Sequence, residues 1–154
     1  LVYFKSFEEA MKFDLEIEPY QSQSKHHVNE DTQWIMNAHD EPIHQLTYDL
    51  TQRLTCDLDT LYQLLKNYEH IKVAAHIERP NTSMIDQIKD YQVDAVEITL
   101  YAKDRIKKPK MKTLYNSDAH DLLTINEKTR KNHIDLDELT IASFFKHFKH
   151  GTTD

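Results

Sequence analysis

Ile71-Lys72-Val73-Ala74-Ala75-His76-Ile77-Glu78-Arg79-Pro80 passes from a β-branched and small apolar run straight into a histidine, an acid, a guanidinium and a proline. The apolar part is continuous rather than alternating, which predicts a parallel strand covered on both faces. The second part is a strand-to-loop transition, where α/β folds gather their chemistry. Upstream, Asp57 stands as N-cap to a helix whose apolar stripe runs through Leu58, Leu61, Tyr62, Leu64, Leu65 and Tyr68. Downstream, Val93 to Leu100 reads as another strand, and Lys112-Thr113-Leu114-Tyr115 as a third that runs into Asn116-Ser117-Asp118-Ala119-His120.

The ends of the chain fit around this centre. Leu1-Val2-Tyr3-Phe4 reads as a short buried strand, and Ser6 with Glu9 as the capping box of a helix from 7 to about 18. That helix carries Phe7, Ala10, Met11 and Leu15 at near-helical spacing, and Pro19 ends it. Residues 21–45 form a polar excursion in which Trp34-Ile35-Met36 pairs briefly and Asp40-Glu41-Pro42 turns. Ser83 caps a short helix from Met84 to Lys89. Thr140 caps a last helix bearing Ile141, Phe144, Phe145 and Phe148, closed by Gly151. Strand and helix alternate from residue 57 onward, so the expectation is an α/β fold in a single domain over residues 1–154.

Composition narrows the function. The chain has 154 residues, enough for a buried core, and no apolar run of the ~18 residues that a membrane-spanning helix needs. Its 19 basic residues face 26 acidic ones, a net charge of -7 that repels a phosphate backbone, so strong nucleic-acid binding is not expected. One cysteine, Cys56, excludes an internal disulfide and suits a reducing, cytoplasmic setting. The single glycine, Gly151, excludes Gly-rich phosphate loops and assigns positive-φ turns to Asn and Asp.

Asp118-x-His120 closes a strand, and side chains two apart share a strand face, so a carboxylate and an imidazole can reach one Zn²⁺ or Mn²⁺. The competing reading is a capping Asp followed by a surface His. His76 ends the earlier strand beside Glu78 and Arg79. Arg79 suits a phosphate because its fork matches two oxygens; the alternative makes Glu78 and Arg79 solvated loop charges and His76 a hydrogen-bonded histidine at the core's edge. Parallel strands of one sheet finish on the same edge, so His76, Asp118 and His120 can converge with open positions, as in a catalytic metal site. Glu97, inside a strand, either faces that site or braces a ligand. His26 and His27 read as exposed, Cys56 as a small buried residue, Lys107 to Lys112 as a solvated loop, and the phenylalanines as core.

At these residues the chain resembles the PHP (polymerase and histidinol phosphatase) superfamily of metal-dependent phosphoesterases. Ala75-His76-Ile77-Glu78-Arg79-Pro80 is similar to the family's A-H-x-[DE]-R-P strand end, and Ser117-Asp118-Ala119-His120 to its late S-D-A-H motif. Looser similarity covers residues 1–4, Val28 to Asp31 and Asp94 to Ile98. The resemblance implies part of a distorted (β/α)7 barrel holding divalent ions (Zn, Mn or Fe, up to three). It implies His76, Asp118 and His120 as metal ligands, Asp118 and His120 as catalytic, and Arg79 at the substrate phosphate, with a metal-activated hydroxide attacking phosphorus. The family's early H-x-H motif is expected upstream of Leu1, so the chain reads as the carboxyl-terminal portion with its N-terminal strands missing.

Such a portion leaves an open sheet edge and an exposed apolar face, and so calls for a partner: the missing N-terminal segment or a second copy. Three functions compete. The first is hydrolysis of a small phosphorylated substrate or a nucleotide. The second is a non-catalytic assembly or regulatory module with an incomplete metal site. The third is another metal-dependent hydrolase of the amidohydrolase type, with Arg79 favouring phosphate over amide.

Overall fold

A computed structural model describes residues 1–22, 34–46, 48, 52–79, 83, 92–99, 111–119, 123, 125 and 132–150. The architecture is mixed α/β, in two compact units: residues 1–7 with 69–154, and residues 8–68. No described helix is long and apolar enough to cross a membrane.

The first unit is built on a four-stranded sheet in the order β1-β4-β5-β6. β1 (Val2–Phe4) runs antiparallel to β4 (His70–Ala74), with Val2 opposite Lys72. β4 then pairs in parallel with β5 (Ala95–Thr99), Val73 beside Ala95, and β5 in parallel with β6 (Thr113–Asn116), Val96 beside Thr113. β4 is therefore mixed, parallel on one side only, whereas β5 is parallel to both of its neighbours. All residues of β5 are buried, as suits a strand with neighbours on both sides and cover on both faces.

The side-chain period of two divides the core between the faces. Ile71, Val73, Ala95 and Leu114 pack with Phe145 and Phe148 of α3 (Ile141–His150), while Ala74, Val96 and Ile98 pack with Ile77 on the other side. The Thr140 hydroxyl accepts the Ser143 amide at 3.1 Å, the cap anticipated from sequence. Lys149 of the same helix donates to Asp94 at 2.9 Å. Asp94 also accepts the Lys72 amide at 2.7 Å, so an acid fastens the amino-terminal end of β5 to β4 and to the helix. The outer edge of β6 is not bare: Asn132 accepts the Tyr115 amide at 2.7 Å and donates to the Tyr115 carbonyl at 2.8 Å. A side-chain amide thus replaces the next strand at that residue.

The second unit carries α1 (Phe7–Ile17), a 3-10 turn (Glu18–Tyr20), a hairpin of β2 (Trp34–Met36) and β3 (Pro42–Gln45), and α2 (Leu58–Leu65). The hairpin lies within the stretch expected to be a polar excursion. Its turn holds Asp40 at φ 60, a positive value that aspartate tolerates. In α1 the expected apolar face is corrected: Phe13 is buried, whereas Met11 and Leu15 are 48% and 66% exposed. Phe13 wins because its ring meets Tyr68 edge-on at 5.5 Å, an arrangement that aromatic quadrupoles favour. The Tyr68 hydroxyl donates to Glu16 at 2.8 Å on the same helix.

Asp57 caps α2 by accepting the Thr60 amide at 2.8 Å. Hydrogen bonds from Thr60 hold its carboxyl below the ordinary carboxylate value of 3.8. The lowered value means a contribution that is present above that ordinary value and lost as pH falls through the lower folded one. Asp57→Ala is expected to lower the thermal midpoint at pH 7, with the deficit against wild type shrinking below about pH 4. Circular-dichroism melts at the two pH values check this.

The expected helix from Met84 to Lys89, the basic residues Lys107 to Lys110, His26, His27 and Gly151 lie outside the described residues.

Candidate functional site

β4, β5 and β6 are parallel and finish on one edge, and the segments that leave them carry the residues singled out from sequence. β4 stops at Ala74, before His76, and β6 stops at Asn116, before Asp118. Both residues then take positive φ, 29° at His76 and 51° at Asp118. Asp118 has thus already left the extended strand. His120 itself lies outside the described residues.

Left-handed backbone disfavours a residue with a β-carbon by ~1–2 kcal/mol, and such strain persists where surrounding contacts over-determine it. At His76 those contacts come from β5. The His76 amide donates to Glu97 Oε2 at 3.0 Å, and the next amide, Ile77, donates to the Glu97 carbonyl at 3.1 Å. The reciprocal tie comes from Glu78, whose Oε1 accepts the Thr99 amide at 2.7 Å and the Thr99 hydroxyl as well. Residues 76–78 are in this way strapped along the end of β5. Glu78 is no solvated loop charge: its second oxygen, Oε2, is buried.

Glu97 is 5% exposed, and Asn116 Nδ2 donates to its Oε1 at 2.5 Å. A buried carboxylate is tolerated where donors meet it, and these come from the segments on either side of β5. What Glu97 holds in this way is the His76 backbone amide. Tyr3 of β1 is close enough to respond: burial, and then the Glu97 charge, push its hydroxyl above the usual tyrosine value, opposed by a hydrogen bond from Asn116.

Arg79 forms an ion pair with Asp118, joining the segments after β4 and β6. The two side chains are partly exposed, 37% and 22%, but the paired oxygen, Asp118 Oδ2, is itself buried. A guanidinium carries five N–H donors, and holding one carboxylate leaves capacity for an anion. His76 Nδ1 is buried and has no hydrogen-bond partner among the described residues. An imidazole nitrogen and a carboxylate suit a divalent ion in type. Among the described residues, however, no group of three or more His, Cys, Asp or Glu side chains is placed to hold a metal.

Sequence reasoning missed Asn116, Thr99 and Tyr3 as members of this cluster. Only the buried acid in mid-strand signalled that donors must be gathered around it. Comparison with protein-family profiles, with curated proteins and with solved structures finds no match to this chain.

Proposed function

We propose that the chain is the carboxyl-terminal portion of a PHP-type metal-dependent phosphoesterase, its sheet forming part of a distorted (β/α)7 barrel. The observation that carries the reading is His76: a strained backbone, held by a buried carboxylate, presents an imidazole whose Nδ1 no described residue engages. His76, Asp118 and His120 hold a divalent ion, Zn, Mn or Fe, and a complete site takes up to three. Such an ion supplies a Lewis acid and water acidic enough to react near neutral pH. Arg79 orients the substrate phosphate with the donors that Asp118 does not use, and Asp118 in turn sets the plane of the guanidinium. The net charge of -7 favours a small phosphorylated substrate or a nucleotide over a long duplex. The remaining strands come from an N-terminal segment or a second copy, and the working compartment is the cytoplasm.

Protein prepared without chelator is expected to retain metal and to hydrolyse p-nitrophenyl phosphate with Mn²⁺ or Zn²⁺, and His76→Ala is expected to do neither. Absence of both retained metal and ion-stimulated turnover in the wild type would refute the reading.

One observation favours a second reading, a non-catalytic assembly module: the Arg79 guanidinium already neutralises Asp118 without an ion. On that reading His76→Ala and Asp118→Ala leave partner binding and stability nearly unchanged.

A further inference from the structure

Within β5 the carboxylate of Glu97 acts on both neighbouring segments at once. Its Oε2 accepts the His76 amide at 3.0 Å, its Oε1 accepts Asn116 Nδ2 at 2.5 Å, and its carbonyl accepts the Ile77 amide. Two successive amides of the turn after β4 are therefore fixed by one residue. The first belongs to His76, which sits at φ 29, a conformation that a β-carbon opposes. The turn thus has an internal reason to relax and an external tie that prevents it.

We infer that Glu97 is a positioning residue: its carboxylate keeps His76 in the left-handed turn and so fixes where the imidazole points. The inference rests on the reading of His76 as a ligand only for its consequence in ion binding. Its chemical signature is a pair of acceptors. Both oxygens receive N–H groups, so the tie needs an acceptor and not a charge. Glu97→Gln keeps one: its Oε1 takes the His76 N–H, and its NH₂ donates to Asn116 when that side-chain amide turns over to offer Oδ1. Glu97→Met keeps the length and removes both acceptors, leaving the His76 amide without this partner. A buried acid serving only to fill space would show no difference between the two replacements.

The test uses the whole chain and two readouts. A strong intraresidue amide-to-Hα NOE at His76 reports positive φ, and calorimetric titration with Zn²⁺ reports affinity. Glu97→Met is expected to lose the NOE and to weaken Zn²⁺ binding about 10–100-fold, the usual effect of losing an outer-shell partner of a metal ligand. Glu97→Gln is expected to keep the NOE and to bind within a few-fold of wild type. A Glu97→Met protein that melts lower but keeps both the NOE and the affinity overturns the inference. Should Glu97→Met fail to fold, Glu97→Asp decides: its carboxylate is one methylene shorter and no longer reaches the His76 amide, so loss of the NOE in the folded protein supports positioning and its retention refutes it. If wild type takes no Zn²⁺, the metal-site reading fails, and the NOE in wild type and the variants still decides the role of Glu97.

Discussion

With glycine at position 76 or 118, ion-dependent phosphate ester hydrolysis is expected to fall by at least the ~10–100-fold that losing even an outer-shell partner costs. In the same proteins glycine is expected to be more stable than alanine at that position by ~1 kcal/mol. Elsewhere the order is the reverse, since glycine loses more backbone entropy on folding and is ordinarily the weaker choice by roughly 0.5–1 kcal/mol. His76 and Asp118 differ because their φ values are 29° and 51°. Alanine keeps the left-handed penalty of ~1–2 kcal/mol while removing whatever the native side chain does there, and glycine removes the penalty. The entropy term of ~0.4–1 kcal/mol offsets only part of that relief. Urea unfolding of His76→Gly and His76→Ala, and of the corresponding pair at Asp118, measures the difference. Strained residues that a chain retains against its own stability are those whose side chains are needed, which is how stability and activity come into conflict. Alanine more stable than glycine at both positions would remove this argument.

Phe145→Ala is expected to destabilise the first unit by ~3–5 kcal/mol, the range for deleting a buried aromatic ring. Phe145 is 3% exposed and packs with Phe148 against Ile71, Val73, Ala95 and Leu114 from the three parallel strands. Total stabilities of ~5–15 kcal/mol make that a large fraction. The same face of β5 that meets this helix at Ala95 carries Glu97 and Thr99 at its carboxyl end, so loosening the helix removes the floor under the site. Ile141→Ala on the same helix provides the control. Ile141 is 59% exposed, and its truncation is expected to stay within about 0.5 kcal/mol of wild type. Thermal melts of the two variants should separate clearly.

Features decided locally were legible in the sequence. Asp57 and Thr140 cap α2 and α3 because a short oxygen-bearing side chain before an apolar stripe finds the first amides of a helix wherever it occurs. The three strands that aim the site could be read from β-branched runs ending in polar residues. Backbone handedness was only half legible. A chain with one glycine must place positive φ elsewhere, and the expectation of Asn and Asp holds at Asp40 and Asp118 but not at His76. There the conformation is imposed by Glu97, 21 residues away, through a bond that no local pattern announces. Phe13 teaches the same lesson: spacing favoured Met11 and Leu15, and the position of Tyr68 decided otherwise. Glu78 and Asn116 were equally opaque, since their partners lie on another strand.

The proposed function requires His76, Asp118 and His120 to grip one ion. The most direct measurement is a long-range ¹H–¹⁵N correlation spectrum of the histidine side chains during titration with Zn²⁺. The imidazoles of His76 and His120 are expected to shift together and saturate at the same added zinc, and Asp118→Gly is expected to abolish the joint response. A titration in which His76 stays unmoved while other histidines bind zinc weakly would contradict it.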